Sequence, residues 1–187
     1  KLSKVFGFSP FFFFFLYNPY LEDFYKSMSR WSFHLQVYFL SSRFRQQNQL
    51  EKSTDSIIMD RTIYEDAEIF AKNLNRIKAL DDRDYRNYRA LYEEMTSFLQ
   101  VPDLLIYLRA SVPTLVKQIQ LRGRSYESSI SIEYLESLNE LYEDWIGRYE
   151  KGPKLIIETD HLDFVNNEED LGYIISLVDQ RLYGMFS

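Results

Sequence analysis

Three short apolar segments that alternate with long helical stretches constrain the fold of this chain most strongly. These segments cover residues 56–59, 104–108 and 155–157. The first two lack the polar and apolar alternation of a half-exposed strand, which indicates burial on both faces. Helical stretches lie between them, and on the N-terminal side residues 21–47 and 65–99 are helix-rich. The alternation predicts an α/β fold in which helices cover both faces of a parallel sheet.

Length and composition indicate one globular domain spanning residues 1–187. Apolar residues make up 45% of the 187 residues and charged residues 27%, which is typical of a folded chain. The net charge of -6 leaves no basic footprint for nucleic acid, so we expect no nucleic-acid partner. No apolar run approaches the ~20 residues of a membrane span, and there are no cysteines. We expect a cytoplasmic protein without a membrane partner.

Residues typical of a helix start and of a helix face follow the second apolar segment, and a residue typical of a helix cap follows the third. Ser111 and Pro113 are typical of a cap and first turn before residues 114–121. A stripe at three- and four-residue steps then predicts one long helix, and it consists of Ile132, Leu135, Leu138, Tyr142, Trp145 and Tyr149. Asn167 can cap a last helix.

Charged residues follow each predicted strand. Asp60 and Arg61 follow the first, Arg109 the second, and residues 158–160 the third. Ligands of open α/β sheets bind outside the carboxyl ends of the strands, so these charges indicate a site at that edge. Each charge alone is equally typical of an ordinary loop. Asp60 offers a carboxylate for hydrated Mg²⁺.

Two further groups of residues are suited to a phosphorylated or flat ligand. Arg122 and Arg124 flank Gly123 at a helix end and could bind phosphate oxygens in bidentate fashion, although cations also favour a helix C-terminus for electrostatic reasons. Gln36 and Arg43 share a helix face, and with Asp66 they could read the edge of a base. A solvated helix face is the alternative. The nearby aromatic residues that could stack on a base are Phe33, Tyr38 and Phe39.

Taken together, four segments resemble the deoxynucleoside kinases, with the bacterial deoxyadenosine/deoxyguanosine kinase branch as the nearest. They are residues 18–25, 31–43, 60–66 and 121–127, in the same order and with compatible spacing. The resemblance extends from about Lys1 to the C-terminus. It implies a P-loop-kinase-like fold and transfer of the ATP γ-phosphoryl to the 5′-hydroxyl of a deoxynucleoside, a purine one in this branch.

The resemblance implies a role for each substrate-binding residue. Gln36 would bond the base edge, while Arg43 and Asp66 would pair with each other and with the base. Tyr25 and Glu127 would hold the sugar 3′-hydroxyl.

The resemblance also implies how the phosphates and the metal are bound. Arg61 would lie near the 5′-hydroxyl, and Asp60 would belong to the Mg²⁺ surroundings. Arg122 and Arg124 would lie in a lid around residues 118–130 that closes over the donor phosphates. Arg61, Arg122 and Arg124 are therefore the expected catalytic residues, and the donor adenine would lie against Asp163 and Phe164. The family implies a homodimer, with residues 33–44 and 85–98 as candidate contacts.

The sequence departs from this family at two places. The phosphate-binding pattern G-x-x-x-x-G-K-[ST] is absent from the 187 residues, and residues 1–8 resemble the end of the helix that follows that loop. We expect that the first strand and its loop are cut off. The position that holds the general base in this family falls here on Phe13, within the run of five phenylalanines at 11–15. A phenylalanine side chain accepts no proton. Two alternatives stay open: a thymidylate kinase-like enzyme, which the polar trio argues against, and a catalytically inactive nucleotide-binding or scaffold protein.

We expect the 187-residue chain to have negligible kinase activity. Donor phosphates would lack their backbone amides and lysine, and the loss of a general base typically costs ~10²–10⁴-fold. The measurement is turnover of deoxyadenosine with ATP and Mg²⁺. A rate in the ~1–100 s⁻¹ range of ordinary kinases would contradict this expectation.

Overall fold

The computed structural model describes residues 1–11, 18–123 and 130–184. Contacts within the chain divide it into two compact units, residues 3–100 and 101–187. Each unit contains one pair of parallel strands together with several helices. The single-domain organisation stays a prediction, whereas parallel pairing between strands that alternate with helices agrees with the expected α/β class.

The first unit is mostly helical. Its elements, in chain order, are α1 (Leu2–Phe6), β1 (Ser9–Phe11), α2 (Leu21–Lys26), α3 (Met28–Leu50), β2 (Ile57–Met59), α4 (Ile63–Glu65), a π-helix (Asp66–Ala71), α5 (Lys72–Arg76) and α6 (Asp82–Thr96).

The strand pair of the first unit joins a predicted strand to one that the sequence did not predict. Strand β2 lies within the predicted segment 56–59 and pairs in parallel with β1, with Ser9 opposite Ile57 and Phe11 opposite Met59. Strand β1 escaped prediction because it runs into consecutive phenylalanines that match no strand periodicity. Phe13 lies outside the described residues.

Helices α2 and α3 pack together over an apolar cluster. Its buried members are Phe24, Leu35, Leu74 and Leu80. Phe33 and Phe39 pack against this cluster, and Tyr38 lies edge-on to Tyr20 with ring centroids 6.0 Å apart. The aromatic residues of α3 therefore contribute to the hydrophobic packing of this unit.

The segment after β2 is a helix whose hydrogen-bond pattern changes twice. Thr62 caps it, and the chain passes through α4 into the π-helix Asp66–Ala71 before α5 resumes the α-helical pattern. π-Helices are rare and occur frequently at functional sites. Asp66, predicted to read a base, is the first residue of this one.

The second unit contains the other strand pair. Its elements, in chain order, are β3 (Leu105–Arg109), α7 (Val112–Arg122), α8 (Ile132–Arg148), β4 (Lys154–Glu158) and α9 (Glu168–Tyr183).

Both strands of the second unit extend one residue beyond the predicted segments at their carboxyl ends. Arg109 and Glu158 were predicted to follow their strands, but they are the last register partners of β3 and β4. Their side chains form an ion pair, with Arg109 Nη1 at 2.7 Å from Glu158 Oε1. Arg109 also pairs with Glu143 of α8 at 2.8 Å. The charge at this strand end therefore holds β3, β4 and α8 together.

The predicted helix starts agree with the structure. Ser111 occupies the N-cap position of α7, although its hydroxyl contacts Thr114 Oγ1 at 3.2 Å instead of a backbone amide. Asn167 caps α9 by accepting from the Glu169 amide at 2.9 Å. No helix within the described ranges is long and apolar enough to cross a membrane.

The carboxyl end of α8 is capped by a lysine from β4. Lys154 Nζ donates to the carbonyl oxygen of Ile146, and to that of Tyr149 at 3.2 Å. A cation at a helix C-terminus bonds the free carbonyls and interacts favourably with the helix dipole.

We expect Lys154→Met to lower the free energy of unfolding by about 1–2 kcal/mol, because charged hydrogen bonds to the last carbonyls of α8 are lost. Urea unfolding followed by circular dichroism measures the change. Lys117→Met is the matched control, since Lys117 is an exposed lysine of α7. Equal effects of the two substitutions would show that the cap contributes nothing specific.

Candidate functional site

Arg43 and Asp66 form a buried ion pair in the first unit. Arg43 Nε of α3 lies 2.9 Å from Asp66 Oδ2 at the start of the π-helix. The two side chains are 2% and 6% exposed. Two of the three residues predicted to read a base therefore meet, and they do so out of contact with water.

The third member of the predicted trio is also buried. Gln36 lies seven residues before Arg43 on α3 and is 3% exposed. Its Oε1 is buried and has no hydrogen-bond partner among the described residues. Because nearly all buried polar atoms in folded proteins are paired, such an acceptor indicates a position where a ligand donor can bind.

The loop after β2 connects this pair to two exposed charged side chains, Asp60 and Arg61. Arg43 Nη1 donates to the Arg61 carbonyl at 3.2 Å and lies 3.5 Å from that of Asp60. Arg61 has a φ of 64°, in the left-handed region that non-glycine residues seldom adopt. Its guanidinium carbon lies 4.9 Å from the ring centroid of Phe70.

A capping box fixes the helix that follows this loop. The Thr62 hydroxyl accepts from the Tyr64 amide at 3.2 Å, and the Glu65 carboxylate accepts from the Thr62 amide at 2.8 Å. The Thr62 hydroxyl also donates to the same carboxylate oxygen. The chain is thus held firmly between the strand end and Asp66.

Burial changes the ionisation of two groups near the trio. It raises the pKa of Asp66 to about 6, against the opposing effect of the Arg43 guanidinium. Burial also raises the pKa of Tyr88 well above its usual range, and the Asp66 charge adds to that shift. The Tyr88 hydroxyl is buried and unpaired within the described ranges. Perturbed groups of this kind cluster at functional sites.

Tyr25, the residue expected at the sugar, lies on α2 at the surface of the same unit. It is 36% exposed, and its ring lies edge-on to Phe24 with centroids 5.4 Å apart. The partner expected with it, Glu127, lies outside the described residues.

The residues expected at the donor phosphates belong to the second unit. Arg122 is the exposed last residue of α7, and Gly123 caps that helix with a φ of 63°. Arg124 lies outside the described residues, so the expected roles of Arg122 and Arg124 at the donor phosphates stay a prediction.

The loop expected at the donor adenine is held by its own hydrogen bonds. The Asp163 amide donates to Asp170 Oδ2 of α9 at 2.7 Å, and the Asp163 carboxylate accepts from Asn166 Nδ2 at 3.0 Å. Phe164 is half-buried beside this turn.

Comparison with known proteins identifies the family. The family model described as deoxynucleoside kinase matches residues 7–182. The chain is 37% identical over 164 residues to a deoxyadenosine/deoxycytidine kinase from Bacillus subtilis, covering 87% of this chain and 76% of that protein. It is 34% identical to a deoxyguanosine kinase from Lactobacillus johnsonii, over 98% and 85%. The chain belongs to the deoxynucleoside kinase family.

A solved structure supports the same conclusion for the fold. Deoxyadenosine kinase from M. mycoides with bound dATP superimposes with a TM-score of 0.82 at 31% identity, covering 95% of this chain and 89% of that one. The expected fold class and the expected enzyme class, a phosphotransferase acting on deoxynucleosides, are confirmed. The family match also decides against the thymidylate kinase-like alternative.

Sequence reasoning missed three groups at the candidate site of this deoxynucleoside kinase. They are Glu65 in the capping box, Phe70 beneath Arg61, and the buried hydroxyl of Tyr88. The spacing Thr62-x-x-Glu65 is the sequence signature of a capping box and could have revealed the first. No local signal marks Phe70 or Tyr88, because each is brought to the site by tertiary packing.

We expect the titration of Asp66 to be visible in protein stability. Its folded pKa of about 6 exceeds the ordinary value of 3.8, so its contribution to stability is fully present below about pH 4 and is lost as pH rises through 6. The loss is on the order of 2–3 kcal/mol. Asp66→Asn lacks this titration. The measurement is the free energy of unfolding of both proteins between pH 4 and pH 7.

The exposed Asp82 gives the matched control for this experiment. Its pKa is lowered by hydrogen bonds to Asn75 and Lys78, so Asp82→Asn should change the pH profile in the opposite sense. Parallel profiles for the wild type and Asp66→Asn would contradict the assignment of a raised pKa to Asp66.

Proposed function

We propose that this deoxynucleoside kinase acts on a purine deoxynucleoside, foremost deoxyadenosine, with ATP as the phosphoryl donor. The observation that carries the proposal is the buried trio of Gln36, Arg43 and Asp66. The Gln36 Oε1 atom has no donor among residues 1–11, 18–123 and 130–184, and an exocyclic amine of a base would supply one. Adenine carries such an amine, whereas thymine has a carbonyl oxygen in the corresponding place.

The names of relatives agree with this choice of base. They include deoxyadenosine/deoxycytidine kinase from Bacillus subtilis and deoxyadenosine kinase from Dictyostelium discoideum, which is 41% identical over 78% of this chain and 59% of its own length. Adenine and cytosine both carry an exocyclic amine beside a ring nitrogen that accepts. One glutamine amide can pair with either edge, so we infer that deoxycytidine is a secondary substrate.

In this proposal the base enters between Gln36 and the ion pair, and Tyr25 meets the sugar. Arg61 then lies at the end of β2, where its fixed positive charge meets the 5′-oxygen and the migrating phosphoryl group. Phosphoryl transfer depends on positioning and on neutralising charge spread over the phosphoryl oxygens, and arginine suits both needs.

The donor side of the proposal uses residues of the second unit. Arg122, with Arg124, would bind donor phosphate oxygens in the lid around 118–130, and Asp163 with Phe164 would contact the donor adenine. Kinases of this fold take their donor as a nucleoside triphosphate with Mg²⁺. The M. mycoides enzyme with bound dATP supports binding of an adenine nucleotide by this fold.

Asp60 fits the role of a carboxylate near Mg²⁺. Its side chain is exposed at the end of β2, and its amide donates to the Phe11 carbonyl at 3.4 Å. No cluster of three metal-ligating side chains occurs within residues 1–11, 18–123 and 130–184. Mg²⁺ usually takes one or two carboxylates and completes its shell with phosphate oxygens and water, so a single aspartate is compatible with it. When bound, the ion would neutralise phosphate charge.

We also propose a homodimer that uses α6. Leu91 lies on this helix and Phe98 in the turn that follows its last residue, Thr96, and they are 41% and 67% exposed. Exposed apolar side chains at this end of α6 are suited to contact with a second copy of the same surface. Phe33 and Phe39, expected to contribute as well, are partly used by the apolar cluster of their own unit.

We expect Asp66→Ala to reduce kcat/KM for deoxyadenosine and deoxyguanosine more than for thymidine. Removing the carboxylate leaves the buried Arg43 charge without its partner, which typically costs ~3–5 kcal/mol. Thymidine gains nothing from the carboxylate and should lose less. The measurement is kcat/KM for deoxyadenosine, deoxyguanosine, deoxycytidine and thymidine in a form of the chain that includes a phosphate loop.

Asp82→Ala is the control for that experiment. Asp82 is an exposed aspartate of the same unit, paired with Lys78 at 3.1 Å, and its loss should leave all four values unchanged. Equal losses for all four nucleosides with Asp66→Ala would assign Asp66 a structural role and remove it from base recognition.

A further inference from the structure

The backbone at Arg61 is held in an unfavourable conformation. A non-glycine residue in the left-handed region is strained, and it persists only where the surroundings fix it. Arg61 has a φ of 64°, while the next residue, Thr62, is extended with a φ of -125°. The contacts around this peptide therefore indicate what sets the direction of the Arg61 side chain.

Arg43 supplies the contacts on one side of this peptide. Its Nη1 donates to the Arg61 carbonyl at 3.2 Å, while its Nε remains 2.9 Å from the Asp66 carboxylate. The planar guanidinium thus bridges the start of the π-helix and the loop after β2. Since the Arg43 side chain is 2% exposed, water cannot easily replace either bond.

The other end of Arg61 rests on the π-helix. Its guanidinium carbon lies 4.9 Å from the centre of the Phe70 ring, within the range of a cation–π contact. Phe70 lies in the same π-helix that Asp66 begins. The backbone and the guanidinium of Arg61 are therefore both fixed relative to the π-helix. Arg43 connects the π-helix to the Arg61 backbone.

We propose that Arg43 is a positioning residue for Arg61. The buried pair of Arg43 and Asp66 fixes the direction of the Arg61 guanidinium, which meets the 5′-phosphoryl group. This inference rests on the proposed function, and it goes beyond base recognition. A residue that acts on the base alone affects a nucleoside and its 5′-monophosphate equally. A residue that acts through Arg61 affects the monophosphate more, because the two ligands differ at the 5′ position alone.

The test is the ratio of dissociation constants for deoxyadenosine and deoxyadenosine 5′-monophosphate, measured by calorimetry on the wild type, Arg43→Lys, Arg61→Ala and the double variant. Lysine keeps the charge opposite Asp66 but loses the planar fork that reaches two acceptors at once. We expect Arg43→Lys to reduce the relative preference for the monophosphate about tenfold, the equivalent of one charge-assisted hydrogen bond. In the Arg61→Ala background the same change should leave the ratio unaltered.

Arg89→Lys is the matched control. Arg89 is a half-buried arginine that pairs with Glu68 of the same π-helix at 2.7 Å and lies over the ring of Tyr92 of its own helix. The ratio should not change in this variant.

A second variant covers the case in which Arg43→Lys does not fold. Arg43→Met with Asp66→Leu removes both charges together, which buried ion pairs usually tolerate better than the loss of one partner. This double variant also loses contacts with the base, but both ligands make those contacts, so their loss cancels in the ratio of dissociation constants. We therefore expect the same tenfold reduction in the preference for the monophosphate.

Two results would overturn the inference. One is an equal loss of affinity for both ligands in Arg43→Lys, and the other is an undiminished effect of that change in the Arg61→Ala background. Failure of the wild type to bind either ligand would instead refute the proposed function, so the two failures are distinguishable.

Discussion

The Arg43–Asp66 ion pair is the interaction on which the rest of the first unit's site depends. Two charges with 2% and 6% exposed side chains gain little net stability from each other, because the desolvation of both offsets their attraction. Burial of Asp66 is strong enough to raise its pKa to about 6 despite the guanidinium beside it. Because the ion pair contributes so little net stability, its presence is better explained by the residues that it positions than by stabilisation of the fold.

Three local structural features of the first unit lie in the short segment from β2 to the π-helix. The capping box joins Thr62 to Glu65, the π-helix begins one residue later, and Arg61 adopts a left-handed backbone just before the cap. Strained backbone and π-helical segments both cost free energy, and both recur at functional sites. Their coincidence within residues 61–71 holds Asp66 and Arg61 in a fixed relation to each other.

Charges at strand ends have different uses in the two units. In the first, Asp60 and Arg61 are exposed side chains at the end of β2. In the second, Arg109 is occupied by Glu143 and Glu158, and its contacts tie a helix to the strand pair. The rule that ligands bind at carboxyl ends of strands therefore selects candidates, and the two ion pairs of Arg109 assign that residue a structural role.

The sequence by itself determined the α/β class, the positions of three strands, the helix starts at Ser111 and Asn167 and the family, because periodicity, caps and motif spacing are local properties of the chain. It also predicted that Gln36 and Arg43 share a face of α3. The burial of the trio, the left-handed Arg61, the burial of the Tyr88 hydroxyl and the ring of Phe70 beneath Arg61 were decided by tertiary structure. Each depends on groups distant in sequence that packing brings together, and on the loss of water around them, which no local pattern encodes.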